Sequence, residues 1–187
     1  MKLFYTVVSK EGAEQSKPSL SLGGFCSASE VQNGALEALF TDVSPYTLQK
    51  DQETIEYIGL ILKNTFDQPV KGLSFWFNQS KDALGKFSLA VVELNDNGEM
   101  EHIPSVNTRP MYADFVVPVQ DDKLELEGVM NPGTMLGLWL CRTIDNTTAS
   151  AKQMTDCNHL FEVWKNGQEN TSTTEVIELK VDFEYGE

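Results

Sequence analysis

Positive charge is scarce in this chain: 14 Lys and Arg stand against 28 Asp and Glu, a formal net charge of −14. That balance repels phosphate backbones and anionic lipid surfaces, because binding to either draws on Lys and Arg to release counterions. It excludes a basic nucleic-acid binder and a membrane-surface binder, and leaves proteins, cations and neutral ligands as partners. Cysteine is nearly as rare. Cys26, Cys141 and Cys157 are odd in number and far apart, which does not suit a disulfide framework and predicts reduced thiols. No apolar run approaches membrane-spanning length. Met1 to Val8 lacks the long apolar stretch and the small-residue cleavage site of a signal peptide. The expectation is synthesis in a cytoplasm, so the triplets Asn78-Gln79-Ser80, Asn146-Thr147-Thr148 and Asn170-Thr171-Ser172 are expected to carry no glycan.

What the chain does have is apolar and aromatic content. Of its 187 residues 41% are hydrophobic, with ten Phe, five Tyr and three Trp; one domain over residues 1–187, burying roughly 70% of its unfolded surface, follows from that length. The apolar residues recur mostly with period two, the period of a strand. Leu3 to Ser9 alternates and reads as a first strand. Lys10 to Ser29, rich in Ser, Gly and Lys around Pro18, has too few periodic apolar positions for a helix or a regular strand and reads as an extended arm. Leu36, Leu39 and Phe40 stand at helical spacing, but Gly34 and Pro45 confine them to a short helix. Residues 10–44 therefore form an arm plus one short helix, packing on the rest of the domain or on a neighbouring subunit.

From residue 54 onward strands dominate. In Ile55 to Lys63, Ile58, Leu60 and Leu62 share one face while Tyr57 and Ile61 share the other, the pattern of a central strand covered on both sides. Val70 to Phe77 puts Leu73, Phe75 and Phe77 on one face and makes a hairpin or a sandwich corner with the strand before it. Phe87 to Leu94 follows, and Asp96-Asn97-Gly98 predicts a tight hairpin turn into Glu99 to Ile103. Met111 to Val117 and Lys123 to Leu126 are shorter candidates. Thr134 to Ile144 alternates Leu136, Leu138 and Leu140 against Met135, Trp139 and Cys141, with Gly137 marking a bulge or the close approach of another backbone. Leu160 to Trp164 and Val176 to Tyr185 complete the set. Eight or nine short strands with almost no helix predict an all-β fold: an antiparallel β-sandwich, immunoglobulin-like or, as the alternative, a jelly roll.

No constellation in the sequence carries catalysis, and no metal or cofactor is expected. Cys157-Asn158-His159, with Cys141 as a third ligand, has no recognised zinc spacing, and His102 stands apart. A Cys–His nucleophile or a carboxylate pair can be assembled on paper from any acidic chain of this length. Asn95-Asp96-Asn97-Gly98-Glu99 echoes a calcium loop only briefly and reads as a turn. Leu22-Gly23-Gly24-Phe25 has no buried strand before it to make a phosphate loop, so its glycines serve the backbone. Trp76, Trp139 and Trp164 would stack sugars only on a shared exposed face, and Trp139 lies in a strongly apolar strand.

Pieces running in order through most of the chain resemble small virion proteins of crAss-like and related tailed phages of Bacteroidales. They are Ser19 to Phe25, Asn33 to Ser44, Glu56 to Thr65, Gly98 to Glu101, Met111 to Ala113, Met135 to Ile144 and Val176 to Phe183. Cys141 departs from the more polar residue of that pattern. The resemblance implies a non-enzymatic structural subunit with an immunoglobulin-like sandwich. Such a subunit forms a ring of the neck or tail with copies of itself and other virion proteins, touches neither nucleic acid nor membrane, and is made in the bacterial cytoplasm. A capsid decoration or head-fibre protein is the alternative position, and a carbohydrate-binding or adhesive sandwich the alternative class.

The strand assignment is testable at its centre. Leu138→Asp places an unpaired charge in the expected core, at a cost comparable to the whole stability of a domain of this size, about 5–15 kcal/mol. The expected outcome is insoluble or non-cooperatively unfolding protein; a soluble variant with a sharp urea transition contradicts the assignment.

Overall fold

The computed structural model describes residues 1–32, 39–40, 53–78, 85–145 and 178–186. Strands β1 (Lys2–Val7), β2 (Phe25–Glu30), β3 (Glu53–Lys63), β4 (Val70–Asn78), β5 (Gly85–Val92), β6 (Leu124–Met130), β7 (Met135–Asp145) and β8 (Glu178–Tyr185) form two sheets. The larger has the order β2-β1-β3-β7-β5 and the smaller β6-β4-β8. Every pairing is antiparallel. The chain is thus an all-β, two-sheet antiparallel sandwich. β3 and β4 lie in different sheets, so residues 64–69 turn the sandwich corner rather than closing a hairpin.

Period two explains the layers. Ile58, Leu60 and Leu62 of β3, Leu138 and Leu140 of β7 and Leu89 of β5 face the smaller sheet, where Val70, Leu73, Phe75 and Phe77 of β4 meet them. Each such side chain removed from water stabilises the fold by about 1.5–3 kcal/mol. The other face of β3 and β7 is equally apolar. Tyr57, Ile61, Trp139 and Cys141 pack there against Leu22, Cys26, Met100, Ile103 and Ala113. The central strand is therefore covered on both sides, as the sequence pattern predicts, and among the described residues the second cover is built mainly from loop residues rather than from a third sheet.

The arm supplies part of that cover, and here the expectation needs correcting. Residues 25–30 are not an irregular extension but strand β2, paired with β1. Residues 12–15 in turn lie against the outer edge of β2: the Gly12 N–H donates to the Cys26 carbonyl and the Ala28 N–H to the Ala13 carbonyl, both at 2.9 Å. A 3-10 turn at Pro18–Leu20 then leads to a buried polar knot. The Thr6 N–H donates to Ser21 Oγ (2.7 Å), Ser21 Oγ–H donates to the Gly59 carbonyl (2.5 Å), and the Gly23 N–H donates to Thr6 Oγ1 (2.9 Å). The Gly59 N–H also donates to the Ser21 carbonyl at 2.8 Å. β1 pairs with β3 only from Lys2 to Tyr5, so this knot satisfies the backbone groups of β3 that the ladder leaves over. Of the expected short helix only Leu39 and Phe40 are among the described residues; Leu39 is fully buried in the inter-sheet core.

Two further expectations change. The Asn95–Gly98 turn forms, with Asn95 Oδ1 accepting from the N–H groups of Asn97 and Glu99. Yet residues 99–103 do not return along β5. Met100 forms an isolated bridge with Gly24, and the Ile103 N–H donates to the Leu22 carbonyl, because the open apolar face of β3 and β7 recruits this segment as cover. Similarly residues 111–117 make only the isolated bridge Val116–Leu89. Gly137 marks neither a bulge nor a backbone approach. The ladders through it are continuous, and the space of its missing Cβ is filled by the Val92 and Met100 side chains. Leu160 to Trp164 lies outside the described residues.

At Gly23, with φ +90°, a Cβ would stand 1.8 Å from the Glu101 carbonyl oxygen; Gly98, with φ +77°, has nothing within 4 Å. Gly98→Ala should therefore lose only the roughly 1–2 kcal/mol of the left-handed backbone, and Gly23→Ala distinctly more. Urea midpoints of the two variants check this, and equal losses would mean that residues 18–24 are not held against residues 100–103.

Candidate functional site

The residues singled out in the sequence are mostly structural. Cys141 lies inside β7, buried in the second core, with Sγ 3.8 Å from Thr143 Oγ1. It does not open a loop as a metal ligand would, and Cys157 and His159 lie outside the described residues. His102 is exposed, and no group of three or more His, Cys, Asp or Glu able to hold a metal occurs among the described residues. Trp139 is 1% exposed, which removes it from any sugar platform. Trp76 carries the Lys123 ammonium 4.0 Å from its ring centroid, and Trp164 lies outside the described residues. Leu22-Gly23-Gly24-Phe25 is the close crossing described above and offers no phosphate cradle. Glu56 and Arg142 face each other across β3 and β7, with Arg142 Nε 3.0 Å from Glu56 Oε2 and the guanidinium 5.0 Å from the Phe40 ring. Both are largely buried, and this pair closes one end of the inter-sheet core.

The surface is more informative. Met111 and Tyr112 are 76% and 79% exposed, side by side on a turn whose shape is fixed by a carboxylate. Glu101 accepts from the Met111 N–H at 3.0 and 2.8 Å and from the Tyr112 N–H at 3.4 Å. A Met–Tyr pair held out on a stiff turn has the chemistry of an interface anchor.

A second feature lies where the two sheets meet at their edges. β5 ends the larger sheet and β6 the smaller. Residues 116–118 lace part of this seam: Val116 exchanges both backbone hydrogen bonds with Leu89 of β5, and the Pro118 carbonyl accepts from the Phe77 N–H of β4. Further along, the seam opens into a cleft of about 340 Å³, the small end of the range for ligand clefts. Its apolar floor includes Val70, Leu73, Val91, Leu126 and Leu136, and Glu93, Glu125 and Glu127 also line it.

A bulge shapes this opening. Leu73 pairs with Leu126 but Lys71 with Val129, so Glu127 and Gly128 together oppose Gly72. Gly72 (φ +60°) and Gly128 (φ +102°) adopt conformations that L side chains avoid. The extra residue bends β6 where the cleft lies. Sequence reading missed this site because its two walls are more than thirty residues apart in the chain. The available signal was Gly128 inside the Leu124–Met130 strand, since an isolated glycine in a strand points to a bulge.

Among the described residues no helix is long and apolar enough to cross a membrane. No protein-family model, curated protein or solved structure matches the chain.

Cys26 gives a pH prediction. Burial pushes its thiol above the usual range, the Lys63 charge opposes this, and the Glu11 carboxylate adds to it. Above about pH 8.5 the unfolded chain loses a thiol proton that native Cys26 keeps, so the native state binds more protons and stability falls as pH rises. Burial likewise raises the Tyr5 and Tyr57 phenols, which extends the decline above about pH 10. Urea midpoints should drop from about pH 8 upward, and Cys26→Ala should flatten the first part of that drop. An unchanged slope in the variant would place the titration elsewhere.

Proposed function

We propose that the chain is a non-enzymatic structural subunit of a tailed-bacteriophage virion, a ring protein of the neck or tail assembly that packs against copies of itself and other virion proteins. The observation that carries this reading is the ordered resemblance running from Ser19 to Phe183. The fold is compatible with it: an antiparallel sandwich with two surface features suited to protein contacts, the Met111–Tyr112 turn and the open β5–β6 seam. The net charge of −14 argues in the same direction, since it disfavours direct contact with nucleic acid or an anionic membrane and leaves proteins as partners. The immunoglobulin-like identity of the sandwich belongs to this proposal as well.

The test uses phage particles from a host carrying the gene, purified on a density gradient, with the chain sought by mass spectrometry and by gold-labelled antibody. The expected result is a fixed number of copies per particle and label at the neck or tail. Label over the head would replace the ring by a capsid decoration, and absence from purified particles would overturn the virion reading. Light scattering of the isolated chain, with limited proteolysis of residues 10–44, adds whether the ring closes without its neighbours.

A further inference from the structure

We propose that the open part of the β5–β6 seam binds an extended segment of another protein in which apolar and basic residues alternate. This goes beyond the virion reading and does not depend on it.

The molecule already uses this mode of binding one step away. Leu89 receives and donates a backbone hydrogen bond with Val116, at 2.9 and 2.8 Å, so its polar groups point away from β7. In an antiparallel strand that direction recurs every second residue, which aims the Val91 N–H and C=O the same way. The bridge to Val116 is a single residue pair, and among the described residues no backbone hydrogen bond outside the β5–β7 ladder reaches Val91. Among the described residues β5 thus presents a short unpaired edge beside an apolar cleft, the arrangement on which a further strand adds by main-chain hydrogen bonds while alternate side chains enter pockets.

The charges select the occupant. Glu93, Glu125 and Glu127 line the cleft, which has no Lys or Arg in its walls. None of the three is in an ion pair among the described residues. Apolar side chains at alternate positions fill the space over Leu73 and Leu126. The long stems of intervening Lys or Arg reach the carboxylates at the rim, where their charges stay hydrated. A second copy is the poorer occupant, since it brings another net charge of −14 to a rim that is already acidic.

The experiment titrates the full chain with the blocked peptide Val-Lys-Val-Lys-Val and with two controls, Val-Glu-Val-Glu-Val and Ser-Lys-Ser-Lys-Ser, followed by amide NMR shifts and calorimetry. The expected result is binding of the first peptide, with shifts centred on Val91 and Leu126 and a dissociation constant that rises about tenfold between roughly 50 and 300 mM salt. Both controls should bind at least about tenfold more weakly. Val91→Pro removes an N–H that serves no ladder bond to β7, which an edge strand tolerates, and should weaken binding by a similar factor. The double reversal Glu125→Lys with Glu127→Lys, at two exposed positions, tests the charge separately should the proline variant melt early. Equal binding of the Val-Glu peptide, equal binding of the Ser-Lys peptide, absence of binding, or shifts remote from the seam would each overturn the proposal. So would an oligomer of the chain that the double reversal dissolves, because the seam would then serve a second copy.

Discussion

β3 and β7 are apolar on both faces, and most of the architecture follows from having to cover them twice. One face is met by the smaller sheet in the ordinary way of a sandwich. Among the described residues the other has no third sheet to meet it. It is closed instead by Leu22 and Cys26 from the N-terminal part of the chain and by Met100, Ile103 and Ala113 from a stretch far along it. Irregular backbone brought onto a buried surface must still satisfy its N–H and C=O groups. This is why the cover is held by specific polar contacts: Ser21 and Thr6 with Gly59, Met100 with Gly24, and the Tyr57 N–H with the Val106 carbonyl. Gly23 belongs to the same requirement, because a side chain there would meet the Glu101 carbonyl and separate the two covering segments, whereas a side chain at Gly24 would meet the Val7 carbonyl of β1.

The requirement also shapes the sheet edges. Residues 100–116 are drawn over the second face, and the chain then crosses from the β5 edge to the β4 edge before starting β6. That crossing laces part of one seam. Further along, where the Gly72–Gly128 bulge bends β6, the inter-sheet core reaches the surface between Val91 and Leu126. The remaining edges are treated differently. The outer edge of β2 is covered by residues 12–15 of the same chain, whereas β6 combines Glu125 and Glu127 with a bulge, two devices that discourage indiscriminate strand pairing. The same carboxylates form the rim of the cleft beside β5, where they favour a positively charged strand over an acidic one.

The sequence made the strands legible wherever both faces or one whole face were apolar. β3, β4, β7 and the alternation of β8 could be read from period two, and the two-sided burial of β3 was visible in Tyr57 and Ile61 set against Ile58, Leu60 and Leu62. β2 was not legible, because Cys26-Ser27-Ala28-Ser29-Glu30 buries little apolar area and owes its form to the neighbours that pair with it on both sides, a tertiary override of weak local preference. The Asn-Gly turn was legible and its partner was not, since the turn chemistry is local while the choice between β5 and Gly24 depends on which apolar face is still uncovered. The seam was the least legible part. Val91, Leu126 and the glutamates beside them come together only through the order of the strands, which no local pattern encodes.

The excess of negative charge has two consequences that oppose each other in salt. Between copies of the chain it acts as diffuse repulsion, which weakens as the charge is screened. At the seam the same excess is local and attractive toward cations, so an added basic strand is held less tightly as salt rises. In the ring proposed above both conditions would hold at once. There the contacts between copies would tighten with salt, while each seam would stay an acidic, partly open edge available to a different chain. On that reading the surface separates two kinds of partner by the sign of their charge.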